Sequence, residues 1–199
     1  IARQMAKLSI ESLQDSITML AQHEDAKAEA IRKIEEKVDS YEDILGSYLV
    51  KLSSRDLTDD QSHEVTKLLH IIGDFERISD HAVNLVESVE EIRDKNISFS
   101  DAAISELAVL RGAVDKALEI TERCFVDTDI DLATTVEPLE ELIDDLRDQI
   151  KLRHTIRLQK SLCSIELGFI LSDILTNLER VADHCSNVAG CVLDMAQTT

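Results

Sequence analysis

Residues 75–84 read Phe75-Glu76-Arg77-Ile78-Ser79-Asp80-His81-Ala82-Val83-Asn84, and residues 178–187 read Leu178-Glu179-Arg180-Val181-Ala182-Asp183-His184-Cys185-Ser186-Asn187. At an offset of 103 residues, Glu, Arg, Asp, His and Asn coincide. A second match lies upstream of each. Ile34-Glu35-Glu36-Lys37-Val38-Asp39 aligns with Leu139-Glu140-Glu141-Leu142-Ile143-Asp144 at an offset of 105. Both matches keep their order and nearly their offset, so the chain reads as a tandem duplication.

Around these segments apolar residues recur at helical spacing. Leu68, Ile72, Phe75, Ser79, Ala82 and Val86 step by three and four, as do Leu171, Leu175, Leu178, Ala182, Cys185, Ala189 and Val192. Polar breaks at 53–60, 94–101 and 126–131 separate the stripes, and Thr58-x-x-Gln61 reads as a capping box opening the helix that follows. The spacing predicts helices over 4–22, 26–52, 59–93, 101–125, 130–160 and 165–196, with the break at 21–25 the least marked. Pro138 either follows the start of the fifth helix or kinks it. The expected fold is all-α: six long antiparallel helices in two tandem three-helix units, residues 1–97 and 98–199, related by a pseudo-two-fold duplication.

Composition agrees. Of 199 residues 44% are hydrophobic, with only 5 Gly and 1 Pro, a mix that favours long helices over sheet and supports a packed core. The net charge of −19 argues against a nucleic-acid partner, whose phosphates need a basic footprint, and against adsorption to anionic lipid. An acidic solvated surface explains such a balance equally well. The four cysteines, Cys124, Cys163, Cys185 and Cys191, lack Cys-x-x-Cys spacing and read as small buried helix residues. No run of 18 apolar residues or signal peptide is present in the sequence.

The duplication yields four Glu-x-x-x-Asp pairs: Glu35/Asp39, Glu76/Asp80, Glu140/Asp144 and Glu179/Asp183. Residues i and i+4 share a helix face about 6 Å apart, where like charges repel. A hard cation between such carboxylates reverses that cost. One pair carries little weight, since a chain with 40 acidic residues holds roughly eight such pairs by composition alone. Recurrence in register inside otherwise diverged halves carries more. Each half places one pair on its second helix and one on its third, so neighbouring helices would bring four carboxylates together. These eight residues are the expected metal ligands.

Asn84 and Asn187 lie four residues further along the same stripe, as amide ligands or as hydrogen-bond partners of the carboxylates. Arg77, His81, Arg180 and His184 fall on a stripe rotated by about 100°. There Arg is expected to neutralise the acidic cluster and His to make an interhelical hydrogen bond. The oxygen-activating di-iron pattern Glu-x-x-His is absent: Ser79 and Ala182 stand three residues after the Glu. No Ser/His/Asp signature, phosphate loop or His-Glu-x-x-His motif occurs in the sequence, and Gly73 reads as a close-packing or kink position. No catalytic residue is expected.

Asp74 through Asn84 closely resembles the signature helix of PhoU proteins, the bacterial phosphate-uptake regulators. Leu178 through His184 is similar to its second copy, and the segments at 35–39 and 140–144 match the family's other acidic positions. The resemblance covers essentially the whole chain. It implies two three-helix bundles side by side, with the four Glu/Asp pairs binding metal ions or clusters, iron or zinc foremost and magnesium or manganese next. It also implies an adaptor that restrains a phosphate transporter and couples it to a sensor kinase. Phosphate binding through the metal is a separate expectation, because phosphate oxygens ligate hard cations. Asn177 stands where the first copy has Asp74, which implies different metal contents in the two halves.

The wording of the second motif further resembles the soluble C-terminal PhoU-like domain of bacterial sodium/phosphate cotransporters. A start at Ile1 fits such a domain, on the cytoplasmic side of the plasma membrane behind a transporter domain. It equally fits part of a free-standing PhoU. The cotransporter domain is the preferred reading. A metal-independent helical adaptor docking a basic partner is the alternative, and a carboxylate-metal hydrolase or oxidase the least favoured. The chain is compatible with a homo-oligomer.

Overall fold

The computed structural model describes residues 1–197. Its helices are α1 Ala2–Met19, α2 Asp25–Ser53, α3 Asp59–Asp94, α4 Asp101–Asp127, the single turn α5 Ile130–Ala133, α6 Val136–Gln159 and α7 Ile165–Gln197. Helices α1, α2 and α3 pack on one another, as do α4, α6 and α7. The fold is therefore all-α, two tandem three-helix bundles, as the periodicity predicts.

Helix ends follow local chemistry. The Thr58 hydroxyl accepts from the Gln61 amide and the Gln61 side chain accepts from the Thr58 amide, the expected capping box. Ser100 caps α4 through the Ala103 amide. Asn96 and Ser161, at φ 49° and 55°, close α3 and α6 in the left-handed region, and the next amides, Ile97 and Leu162, return to the Ile92 and Arg157 carbonyls.

The expected fifth helix, 130–160, is broken at Thr134–Thr135. Pro138 has no amide hydrogen to give the Thr134 carbonyl, so α6 starts afresh at Val136 with Pro138 in its first turn. The first helix ends at Met19, three residues earlier than expected. Gly73 lies inside the continuous α3 with open space where a Cβ would stand, so it is neither a kink nor a close approach. Cys124 and Cys185 are buried, whereas Cys163 is partly exposed in the turn before α7 and Cys191 is half-buried, correcting the uniform expectation for the cysteines.

The two bundles meet along α3 and α7, the most extensive helix pair in the molecule. Their polar contacts run in opposite directions along the sequence, Asp74 to His184 and His81 to Asn177, so the helices are antiparallel. Phe75, Ile78, Ala82 and Val86 of α3 and Leu175, Leu178, Ala182 and Cys185 of α7 are at most 1% exposed and belong to one continuous core. Phe75 also stacks tilted on Phe125 of α4, ring centres 5.2 Å apart. Among the described residues no helix is long and apolar enough to cross a membrane.

Candidate functional site

In the first bundle Glu35 and Asp39 lie on α2 and Glu76 and Asp80 on α3, and these helices are neighbours. The carboxylates influence one another across the gap. Burial, then the charges of Asp80 and Asp39, push the Glu35 carboxyl above its ordinary value. The Glu76 carboxyl is pushed up to about 7 by burial first and then by Asp80, with a smaller contribution from the charge of Glu42. Arg77 opposes this shift. Among the described residues none of Glu35, Asp39, Glu42, Glu76 and Asp80 forms an ion pair with Lys or Arg.

In the second bundle Glu140 and Asp144 lie on α6 and Glu179 and Asp183 on α7, again neighbours. The Glu140 carboxyl is raised by burial first, then by the charges of Asp144 and Asp183. Cross-helix pairing is thus the same in both halves: Glu35 with Asp80, and Glu140 with Asp183. The other half of the face differs. Arg147 Nη1 lies 2.6 Å from Glu179 Oε1 and 3.4 Å from Asp144 Oδ1, and its Nε donates to Asp148 Oδ1 at 3.1 Å. Burial works against the Arg147 charge, but Glu179, Asp144 and Asp148 outweigh it and raise its pKa. Asp144 Oδ1 is buried without a hydrogen bond.

The rotated stripe does what was expected of its histidines. His81 Nδ1 is 2.8 Å from Asn177 Oδ1, and His184 Nδ1 is 2.8 Å from Asp74 Oδ1. The two rings stack at 5.6 Å. Asn84 Nδ2 donates to Asn177 Oδ1 at 3.1 Å and Asn187 Nδ2 to Asp74 Oδ1 at 3.3 Å. Both asparagines are therefore engaged at the seam between bundles and not with the Glu/Asp pairs of their own stripe. Asp74 and Asn177 are at the seam too, so their difference bears first on the histidine contacts. The guanidinium that reaches into an acidic face is Arg147, which motif matching passed over. Carrying the repeat register three residues past Asp39 and Asp144 would have found it, opposite Glu42.

Carboxylate oxygens are the donor set of a hard cation, and in the first bundle a cation would relieve the repulsion that adds to burial in raising Glu35 and Glu76. Among the described residues no group of three or more His, Cys, Asp or Glu side chains is placed to hold a metal ion, so the carboxylates would have to move together to bind one.

The PhoU domain family matches residues 2–89 and 108–192. The chain is similar to the phosphate-specific transport system accessory protein PhoU homolog 1 of Thermotoga maritima, 29% identical over 184 residues, 90% of this chain and 74% of that protein. It is also similar to the PhoU homolog of Xylella fastidiosa strain Temecula1, 22% identical over 95% of this chain and 78% of that protein. Among solved structures, PhoU from Pseudomonas aeruginosa superposes with a TM-score of 0.89 at 21% identity, covering all of this chain and 94% of that one. PhoU from Streptococcus pneumoniae gives 0.85 at 18% identity, covering all of this chain and 92% of that one. At those identities the solved structures speak for the fold alone. With both repeats matched, the chain belongs to the PhoU domain family.

Proposed function

We propose that this chain is a regulatory accessory module of phosphate transport, acting as an adaptor on a phosphate transporter from the cytoplasmic side, with the repeats 1–97 and 98–199 as its two working units. The observation that carries the reading is the family match across both repeats. The relatives are described as accessory proteins of phosphate-specific transport systems, which favours an adaptor of the free-standing PhoU kind over the cotransporter domain. A sensor kinase is the second partner in this reading. The adaptor role needs no catalysis: the helical faces carry charge for docking, and acidic rims steer association with basic partner surfaces.

The cofactor in this reading is a metal ion or cluster on the first-bundle face, held by Glu35, Asp39, Glu76 and Asp80, with iron or zinc ahead of magnesium or manganese. Bound there, it supplies a hard Lewis-acid centre for phosphate oxygens. The paired second-bundle residues Glu140, Asp144, Glu179 and Asp183 form the corresponding face. Two experiments test the proposal. Deleting the chain's gene in its host should raise phosphate uptake in phosphate-replete medium, with restoration by the intact gene; unchanged uptake would reject the regulatory role. Elemental analysis of purified protein, with and without Glu76→Ala and Asp80→Ala, tests the ligands. Metal-free protein that takes up none of these metals would leave a metal-independent adaptor.

A further inference from the structure

The repeats are in register from Glu35 to Glu42 and from Glu140 to Arg147. Glu35, Asp39 and Glu42 correspond to Glu140, Asp144 and Arg147. On the facing helices Glu76 corresponds to Glu179. At this one juncture the bundles are opposite in sign. In the first, the residue is the carboxylate Glu42, and among the described residues no Lys or Arg pairs with it or with Glu76. In the second, the Arg147 guanidinium lies 2.6 Å from Glu179 and 3.4 Å from Asp144. The Arg147 and Glu179 side chains are only 18% and 20% exposed, so this is not a loose surface pair. The first repeat therefore carries a carboxylate at the position where the second carries a guanidinium held against two of its four motif carboxylates.

We infer that Arg147 is the built-in counter-ion of the second acidic face, standing between Asp144 and Glu179 where a cation would bind, and that metal uptake is confined to the first repeat. A guanidinium contact of this kind excludes a cation in two ways. It occupies the space between the two carboxylates, and it cancels much of the charge that would attract a second ion. Asp144 Oδ1, buried without a hydrogen bond, depends on Arg147 for its charge balance. A single exchange at the third residue past the motif Asp thus makes a duplicated fold functionally one-sided. The stoichiometric part rests on the first face being a cation site; the counter-ion part does not.

The test titrates Zn2+ and Mn2+ separately into the chelator-treated full chain and its variants, with bound metal read by native mass spectrometry. Wild type should load one repeat only: Glu76→Ala should abolish uptake and Glu179→Ala should leave it. Arg147→Glu should add a second, comparable uptake, and Glu42→Arg should weaken the first by about tenfold or more. Wild type that loads both repeats, or Arg147→Glu without any gain while its helical circular dichroism is intact, overturns the inference. If no variant binds metal, the cation reading of the proposed function fails, and a metal-free arm decides the counter-ion role. In chelator, Arg147→Met should lower Tm by about 4 °C or more, and adding Glu179→Gln should restore part of the loss. An unchanged Tm for Arg147→Met overturns it.

Discussion

His184 and Asp74 face each other across the seam between the bundles, Nδ1 2.8 Å from Oδ1, and the pseudo-symmetric contact replaces the carboxylate with the amide of Asn177. The two histidines stack, so they are one unit with unequal partners. Burial pushes the His81 pKa down; the Asn177 contact raises it, while His184 and Arg180 lower it further and Asp80 raises it. His81 is therefore held neutral in the fold, and the unfolded chain binds the extra proton. The stability this contributes is complete above the ordinary histidine value of about 6.5 and is lost as pH falls below it. Asn177→Asp should give His81 a carboxylate partner and raise its pKa. A histidine Cε1 proton titration by NMR checks this; a His81 midpoint unmoved by the substitution would contradict it.

Glu76 behaves in the opposite sense. Its carboxyl is raised to about 7 in the fold, by burial first and then by Asp80. The folded chain binds the extra proton, so the favourable contribution is full below the ordinary glutamate value of about 4.3 and is lost as pH rises through about 7. Glu76→Gln should accordingly raise stability at pH 8 by about 1 kcal/mol, a figure reduced because solvent reaches the group, and should do little at pH 4. Chemical denaturation of the chelator-treated protein at the two pH values measures the difference. Added Zn2+ or Mn2+ should favour wild type over Glu76→Gln at pH 8, because the substitution removes a ligand.

The helices and the duplication were legible because both rest on periodic or repeated residues: the stripe from Leu68 to Val86, and the Glu, Arg, Asp, His and Asn shared between 75–84 and 178–187. Breaks were less legible. Pro138 allowed a kinked helix or a new start, and the absent hydrogen bond to Thr134 decided for the new start. Side-chain direction was the least legible. Asn84 and Asn187 share a stripe with the carboxylates by position, yet long α3 and α7 pack side by side and their amides find partners across the seam. Arg147 was missed for a different reason. A search for identical residues reads likeness, and the informative feature at this position is a difference, Glu42 against Arg147.

Phe75 tests how far the two bundles share one core. It is 1% exposed on α3 and its ring stacks on Phe125 of α4, the other repeat. Phe75→Ala removes a large buried side chain and the ring contact together, and should destabilise the fold by about 3–5 kcal/mol. The loss should appear as one cooperative transition shifted to lower denaturant. Two separated transitions, one shifted and one in place, would mean that the bundles unfold independently.

Glu106 and Arg157 join α4 to α6 through a two-pronged contact, Nη1 to Oε1 at 3.0 Å and Nη2 to Oε2 at 2.8 Å, with both side chains 13% exposed. Burial makes the pair unlike the exposed ion pairs of this acidic surface, such as Lys33 with Glu29 at 69% exposure each. An exposed pair contributes about 0–1 kcal/mol, whereas removing one partner of a buried pair strands the other charge. Glu106→Gln should therefore destabilise the chain by about 2–4 kcal/mol, and Glu29→Gln should leave its stability unchanged. Replacing both partners, Glu106→Gln with Arg157→Met, should recover part of the loss, because no buried guanidinium is then left without its carboxylate; Arg153, 3.7 Å from Glu106 Oε1, is 55% exposed and stays solvated. Denaturant midpoints of the four proteins measure this. A double variant no more stable than Glu106→Gln alone would show that the packing of the Arg157 stem, and not its charge, holds α4 against α6.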